Sequence, residues 1–232
     1  MSRTAAFLFA HPDDETFLCA SLISRLQRSG DRAILLLATR GDAGKKNGAV
    51  SHLSNEELGA LREQEMERAA AIIGLQEVTH LGYPDGKLKE VDETSFVNRV
   101  IDYLNDCKPD VAVTFPEDGG NFHPDHMTIS KIVTAAVLSG RCPSVQKLYY
   151  VASDTLLQSG RLPSVTIDTE QDWPMKAEAL RAHQSQIYAI ERYFGDLREL
   201  PENRRLESFV LAWERGVSYP SKAEAGLFDG IN

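Results

Sequence analysis

The sequence predicts an α/β fold in which helices cover both faces of a mostly parallel β-sheet. Short apolar segments alternate with segments of helical periodicity through the first 140 residues, an order typical of parallel strands joined by right-handed crossovers. Residues 33–38 are apolar throughout, as in a strand covered on both faces. Polar clusters follow the strands, so we expect the active site at the carboxyl ends of the sheet.

Each element of the first 140 residues follows from a local pattern. Apolar runs predict the strands, and apolar residues three and four apart predict the helices. Gly30 and Gly74 suit the ends of two helices, and Ser54 with Glu57 forms a capping box. The predicted order is strand 5–9, a helix to Gly30, strand 33–38, a helix from Ser54 to Gly74, strand 77–81, helix 92–107, strand 110–115 and a helix through residues 129–137.

The pattern is less regular beyond residue 140. Residues 145–151 and 165–167 predict strands, and Asp172 with Pro174 predicts the start of a helix that continues past residue 183 toward residue 190. Residues 202–214 fit either a helix or a strand, and residues 216–232 resemble a surface tail. We expect a single domain, 1–232, with a Rossmann-like core over 1–140 and a part over 141–232 that completes it.

Composition and charge limit the partners. The formal net charge of −9 disfavours a nucleic acid or an anionic membrane as partner, because both require a basic face. It favours a small neutral or cationic molecule, or a metal ion. No apolar stretch reaches the length of a membrane span, no signal peptide precedes the first strand, and the three cysteines are far apart. We therefore expect a cytoplasmic protein, either a monomer or a homo-oligomer.

Two motifs carry residues suited to metal chemistry. His11 and Asp14 are three residues apart after the first strand, and His123 and His126 repeat this spacing after a later strand. A catalytic zinc ion usually has three ligands drawn from histidine, carboxylate and cysteine, with one position left for water. Two histidines and one carboxylate as ligands would leave one histidine and the remaining carboxylates free for catalysis.

These groups suffice for metal-assisted hydrolysis of an amide. The metal would activate water, and Asp13 would act as general base and return the proton to the leaving amine. A histidine kept cationic by a carboxylate would stabilise the oxyanion, and Asp125 is placed to pair with His123 in this way. From the sequence pattern alone, Arg62 is an ordinary cation on a helix, and Asp85 is an ordinary turn-forming residue.

The combination of Ala-His-Pro-Asp-Asp-Glu after the first strand with a later His-Pro-Asp-His resembles the PIG-L (LmbE-like) family of zinc-dependent N-acetylglucosaminyl deacetylases. Residues 39–44, Arg62 with Glu65, residues 81–86 and residues 182–186 also resemble the family's layout. The resemblance extends over about residues 5 to 215.

The resemblance implies roles for individual residues. It makes His11, Asp14 and His126 the ligands of zinc; by their chemistry these ligands also suit ferrous iron. Asp13 becomes the general base, His123 the histidine that stabilises the oxyanion, and Asp125 its charge partner. It further implies substrate-binding roles for three residues, namely Arg62, Asp85 and His183. The expected substrate is a small-molecule conjugate of an N-acetylated amino sugar such as GlcNAc.

Three other functions compete with this one. A nucleotide-dependent oxidoreductase would carry a glycine-rich G-x-G-x-x-G turn after the first strand, and the sequence has none there. A non-catalytic metal- or sugar-binding protein of the same fold would have no use for Asp13. A hydrolase with the same site could instead act on another small acylated amide, for example an antibiotic or a lipid, and the sequence leaves this alternative open.

Overall fold

The computed structural model describes residues 2–231, so Met1 and Asn232, which the predicted domain and tail included, lie outside the described residues. Its strands are β1 (Thr4–Phe9), β2 (Arg32–Thr39), β3 (Glu77–Tyr83), β4 (Val111–Thr114), β5 (Lys147–Val151), β6 (Val165–Asp168), β7 (Leu206–Glu214) and β8 (Val217–Ser218). They form one sheet in the order β3-β2-β1-β4-β5-β7-β6, with β8 paired to β7. The first five are mutually parallel, which confirms the predicted fold class.

The helices pack in two groups. They are α1 (Asp14–Arg28), α2 (Asn55–Ile73), α3 (Glu93–Cys107), α4 (Pro124–Leu138), α5 (Asp154–Gln158), α6 (Trp173–Ala182) and α7 (Ile187–Phe194). Helices α1, α2 and α6 contact one another, and α3 contacts α4. Right-handed crossovers explain why α1 and α2 lie on the face opposite to α3 and α4, because the connections β1-β2-β3 and β3-β4-β5 run in opposite directions along the sheet. Within residues 2–231, no helix is long and apolar enough to cross a membrane.

The centre of the sheet is apolar on both faces. Every residue of β1 is buried, and β2 is buried from its second residue onward. The capping box at the start of α2 forms as predicted, with Ser54 accepting from Glu57 and Glu57 accepting from Ser54. The central strands are packed on both faces of the sheet. The loops at their carboxyl ends therefore start from rigid positions.

The strand order reverses between β1 and β4. Strands β2 and β3 follow on one side of β1, whereas β4 and β5 lie on the other side. The loops that leave β1 and β4 therefore diverge and open a crevice at the carboxyl end of the sheet, the usual position of a ligand in such folds. The first motif directly follows β1, and the second lies between β4 and α4. The fold thus brings together two motifs more than 100 residues apart.

Beyond residue 140 the structure decides one open alternative and departs from the prediction in two ways. Residues 206–214 form strand β7, which inserts antiparallel between β5 and β6. The single helix expected from residue 172 is interrupted at His183, whose ψ of 57° is not helical, and continues as α7 after a 3₁₀ turn. Asp172 does not cap α6, because its carboxylate accepts hydrogen bonds from Arg25 and Arg28 on α1.

The predicted surface tail is wrong. Its residues Leu227, Phe228 and Ile231 are buried in the main core. Lys147, which has no exposed surface, donates hydrogen bonds to the Glu224 carboxylate at 2.5 Å and to the backbone carbonyl of Asp229. A buried ammonium requires such partners. Residues 224–231 therefore close the core beneath β5.

We expect Glu224→Ala to lower the free energy of unfolding by about 3 kcal/mol, because it leaves the buried ammonium of Lys147 without its nearest carboxylate. Glu214, 3.6 Å from the same ammonium, keeps the loss at the low end of the usual range. Urea unfolding measures the effect. The exposed Glu199 provides the control, and equal stabilities of Glu224→Ala and Glu199→Ala would show that the tail is not anchored in this way.

Candidate functional site

The first motif forms a tight turn between β1 and α1. Asp14 is the first residue of α1, and one oxygen of its carboxylate accepts the backbone N–H groups of His11 and Ala10 at 2.8 and 3.2 Å. Asp13, just before the helix, has a φ of 113°, a region that non-glycine residues rarely occupy. Backbone strain of this kind concentrates at functional sites. The turn directs the side chains of His11 and Asp14 to one point and that of Asp13 to another.

The second motif starts helix α4. His123 is the N-cap of α4, and Pro124 takes the first helical position, where its missing N–H costs nothing. The Nδ1 of His126 lies 3.1 Å from the backbone carbonyl of Gly119, so that nitrogen carries the proton and Nε2 presents a lone pair. The His126 ring also stacks on Phe115, with ring centroids 4.0 Å apart. These contacts hold the orientation of His126.

The side chains of three residues converge between the two motifs, and both carboxylate oxygens of Asp14 take part. His11 Nδ1 lies 3.2 Å from His126 Nε2 and 3.6 Å from Asp14 Oδ2, and His126 Nε2 lies 3.3 Å from Asp14 Oδ1. Ligands about 2.0 to 2.1 Å from a tetrahedral zinc ion are about 3.3 to 3.4 Å apart. The donor set therefore fits a metal ion. The ring nitrogens of His11, His123 and His126 also lie within 4.8 Å of one another, which places His123 beside the same point.

Two carboxylates lie behind His11. Its Nε2 is 3.0 Å from Asp85 Oδ1 and 3.3 Å from Asp125 Oδ2, so this nitrogen carries the proton that both oxygens accept. Burial lowers the pKa of His11, but the hydrogen bonds to Asp125 and Asp85 outweigh it and raise the pKa to about 10. The surroundings thus favour positive charge at this position. A carboxylate behind a histidine also fixes which nitrogen faces a metal.

Asp13 lies beside the candidate metal position. One oxygen of its carboxylate is 3.1 Å from Arg62 Nη2, and the other accepts no hydrogen bond from residues 2–231. Burial raises the pKa of Asp13 to about 6, although the nearby Arg62 guanidinium opposes the shift. The carboxylate is therefore mainly ionised at neutral pH and basic enough to accept a proton.

The contacts of His123 differ from those expected. The carboxylate of Asp125 contacts His11 and the backbone N–H groups of Gly86 and Leu88, so it is not the charge partner of His123. Only the backbone N–H of Asp125 reaches His123, donating to Nδ1 at 3.3 Å. Burial and the neighbouring His11 and His126 lower the pKa of His123. The ring is therefore neutral, with its proton on Nε2.

The three residues expected to hold substrate are turned inward. Arg62 is 3% exposed and donates to the carbonyl oxygens of Pro12 and Gly41 as well as to Asp13. The carboxylate of Asp85 is occupied by His11 and by the N–H of Ala43. His183 is fully buried. These positions are suited to holding the functional groups in place, and they leave little surface for a substrate.

Sequence reasoning missed several buried polar residues around Asp13. The sequence patterns assign no catalytic or positioning role to Glu15, Thr16, Glu65 or Ser185, although Glu65 and Ser185 fall in stretches that resemble the family's layout. All four are buried, and they join α1, α2 and the turn after α6 through hydrogen bonds. The sequence signal is the polar character of the first residues of α1 and of residues 183–186, where an uninterrupted amphipathic helix would place apolar residues.

Gly41 provides a test of the packing around Arg62. Its φ is +66°, and a Cβ there would lie 2.4 Å from Arg62 Cζ. Gly140 has a similar φ of +73° with open space around it. We expect Gly140→Ala to cost about 1 kcal/mol of unfolding free energy through backbone strain alone. Gly41→Ala should cost about 2 to 4 kcal/mol, because the clash adds to the strain. Equal losses in urea unfolding would show that Arg62 is not packed against this loop.

Comparisons with known proteins identify the family that this chain resembles. A family model described as PIG-L, GlcNAc-PI de-N-acetylase, matches residues 6–137. A probable N-acetyl-alpha-D-glucosaminyl L-malate deacetylase 2 from Bacillus anthracis is 29% identical, over 80% of this chain and 82% of its own. A 1D-myo-inositol 2-acetamido-2-deoxy-alpha-D-glucopyranoside deacetylase from Saccharomonospora viridis is 26% identical, over 97% of this chain and 99% of its own.

Solved structures share the fold. The N,N'-diacetylchitobiose deacetylase from Pyrococcus horikoshii matches with a TM-score of 0.70 and 20% identity, over 90% of this chain and 84% of that chain. The 4-carboxy-2-hydroxymuconate hydratase GalB from Pseudomonas putida matches with a TM-score of 0.67 and 14% identity, over 94% of this chain and 100% of that chain. One of the two is named as a deacetylase and the other as a hydratase, so the fold by itself does not determine the reaction.

Proposed function

The chain belongs to the PIG-L family, whose model is described as GlcNAc-PI de-N-acetylase, and we propose that it is a metal-dependent hydrolase that removes the acetyl group from an N-acetylated amino sugar. The observation that supports this most is the convergence of His11, Asp14 and His126 on one point beside Asp13. The named relatives suggest a small GlcNAc conjugate as substrate. We further propose that residues 1–232 form one domain that acts in the cytoplasm.

In this proposal His11 Nδ1, Asp14 and His126 Nε2 hold the metal, zinc or alternatively ferrous iron. The chemistry that such an ion supplies is Lewis acidity, which makes water a nucleophile near neutral pH and polarises an amide carbonyl. Asp85 and Asp125 accept the Nε2 proton of His11 and so keep its Nδ1 directed at the metal position. They act as orienting residues, which replaces the substrate-binding role expected for Asp85.

Asp13 is the proposed general base. Its carboxylate oxygen that is not paired with Arg62 accepts the proton of the attacking water, and the same carboxylic acid then protonates the leaving amine nitrogen. The C–N bond of the acetamide breaks as the amine leaves, so the products are acetate and the free amino sugar. Arg62 holds the carboxylate in position during both proton transfers, which replaces the substrate-binding role expected for it.

His123 is the proposed donor to the developing oxyanion. Its Nδ1 accepts the backbone N–H of Asp125, so its Nε2–H is free to donate to the carbonyl oxygen of the substrate. A fixed donor at this place stabilises the negative charge of the tetrahedral transition state without reorganisation. Because the ring donates in its neutral form, the mechanism does not need the cationic histidine expected from the sequence.

The proposal is tested by an amine-release assay on purified, zinc-loaded protein. The panel contains GlcNAc joined to malate, to inositol and to a second GlcNAc, together with acyl amides that carry no sugar. We expect amine release with equal amounts of acetate from at least one GlcNAc conjugate. Hydrolysis of the sugar-free amides alone would favour the alternative of an amidase for other small acylated compounds. Absence of hydrolysis throughout, with metal bound, would favour a non-catalytic binding protein.

A further inference from the structure

We propose that Glu15 and His183 form a buried pair of positioning residues that holds Asp13 in place as the base, an inference that rests on the proposed function. Both side chains have no exposed surface. One oxygen of Glu15 accepts the backbone N–H of Asp13 at 3.3 Å. The other oxygen accepts the Thr16 hydroxyl and lies 3.7 Å from His183 Nε2, which is itself 3.1 Å from the Thr16 oxygen.

The backbone of Asp13 needs such support. Its φ of 113° is sparsely populated for residues with a side chain, and such a conformation persists only when its surroundings hold it. The N–H of Asp13 is bonded to Glu15, and its carboxylate is bonded to Arg62. Glu15 can hold the N–H of Asp13 only if its own carboxylate is fixed. A fully buried carboxylate requires polar partners, and these partners fix its position. Thr16 and His183 are those partners.

The position of His183 depends on the break between α6 and α7. In the 3₁₀ turn that follows, Ser185 donates its backbone N–H and its hydroxyl to the buried Glu65 of α2, at 2.7 and 2.6 Å. The turn is thereby attached to α2 through Ser185 and to α1 through His183. Arg62, one turn before Glu65 on α2, reaches the Asp13 carboxylate. Residues 183–185 therefore link the two helices that hold Asp13.

Packing alone does not account for a histidine at this position. Its Nδ1 is buried without a hydrogen-bond partner among residues 2–231. An apolar side chain of similar size would avoid that unsatisfied nitrogen, since unpaired buried polar atoms are costly and rare. The contact through Nε2 is what histidine contributes. Because a general base displaced by about 1 Å can lose about 10²-fold in rate, a contact one step removed from the base can matter for turnover.

The first test compares three variants. His183→Ala should lower kcat by about 10- to 100-fold, with KM within about threefold of wild type and zinc content unchanged. His183→Gln can place an amide N–H near the former Nε2 and should recover most of the loss. Gln184→Ala, an exposed residue of the same turn, should behave as wild type. If His183→Ala keeps the wild-type kcat, or if His183→Gln recovers nothing, the proposal is wrong.

A double-mutant cycle shows whether the pair acts through Asp13. In the Asp13→Ala background, adding His183→Ala or Glu15→Gln should lower the residual rate no further, because the group that they position is gone. The same fold-loss in both backgrounds would assign the residues a general structural role and overturn the proposal.

Crystal structures give a readout that is independent of activity. In His183→Ala the Asp13 N–H should move away from Glu15 and its φ should change, whereas His183→Gln should keep both as in wild type. If His183→Ala does not fold, His183→Gln and Glu15→Gln provide the comparison, with a shift of Asp13 expected in Glu15→Gln. An unmoved Asp13 overturns the inference even if the protein deacetylates GlcNAc conjugates, and a protein inactive on them contradicts only the proposed function.

Discussion

Asp13→Ala should lower kcat by about 10²- to 10⁴-fold, the usual contribution of a general base, while the protein keeps its zinc. The carboxylate of Asp13 pairs with Arg62 and makes no hydrogen bond to His11, Asp14 or His126, so its removal should leave these three residues unchanged. Steady-state amine release and elemental analysis of the same preparation measure the two quantities.

The matched control for this variant is Asp13→Asn, which keeps the shape of the side chain and its contact with Arg62 but cannot accept the proton. We expect Asp13→Asn to lose nearly as much turnover as Asp13→Ala, with a similar KM. An asparagine variant with wild-type turnover would show that Asp13 has a positioning role only, and the base would have to be sought elsewhere.

His126→Ala should abolish stable zinc binding and, with it, turnover. The Nε2 of His126 lies 3.2 Å from His11 Nδ1 and 3.3 Å from Asp14 Oδ1, and its orientation is held by Gly119 and Phe115. Loss of a residue that only orients a ligand typically lowers metal affinity by about 10- to 100-fold. We expect loss of the ligand His126 to lower zinc affinity by more than this. Titration with zinc in the presence of a competing chelator measures it.

Two further substitutions calibrate that result. Asp125→Asn removes a charge behind His11 and should weaken zinc binding by about 10- to 100-fold, less than the loss of a ligand. His52→Ala changes an exposed histidine outside the site and should have no effect. Full zinc occupancy in His126→Ala would mean that His123, whose ring nitrogen lies within 4.8 Å of those of His11 and His126, takes the ligand role.

The parallel half of the fold could be predicted from the sequence because its information is local. Continuous apolar runs such as that of β2 mark strands covered on both faces, and the capping box of Ser54 and Glu57 marks the start of a helix. The convergence of the two motifs also followed from local information, because alternating strands and helices place every strand end at the same edge of the sheet.

The C-terminal part could not be predicted in this way because its structure depends on partners distant in sequence. Strand β7 pairs with two strands about 40 to 70 residues earlier, so the short-range pattern of residues 202–214 is ambiguous. Asp172 is an N-cap by local pattern, but arginines on α1 take its carboxylate. The tail is polar around Lys222 and Glu224, yet the buried Lys147 makes it part of the core.

The same limit applies to the details of the site. Spacing alone placed Asp125 near His123, but the backbone turns its carboxylate toward His11 and the N–H groups of residues 86 and 88. Spacing also cannot show that the Arg62 guanidinium enters the interior to reach Asp13, a contact made over 49 residues of sequence. The fold determines which residues come together at the site. Tertiary hydrogen bonds determine which of their atoms are in contact.

Reconstitution of metal-free protein with zinc tests the central claim most directly. The account predicts that chelator-treated protein has no deacetylase activity toward the GlcNAc conjugate that wild type accepts. Activity should then rise in proportion to added zinc, reach a plateau at one zinc per chain, and fail to return in His126→Ala. Full amine release from protein that carries no stoichiometric metal, or stoichiometric zinc binding with no hydrolysis of any GlcNAc conjugate, would contradict it.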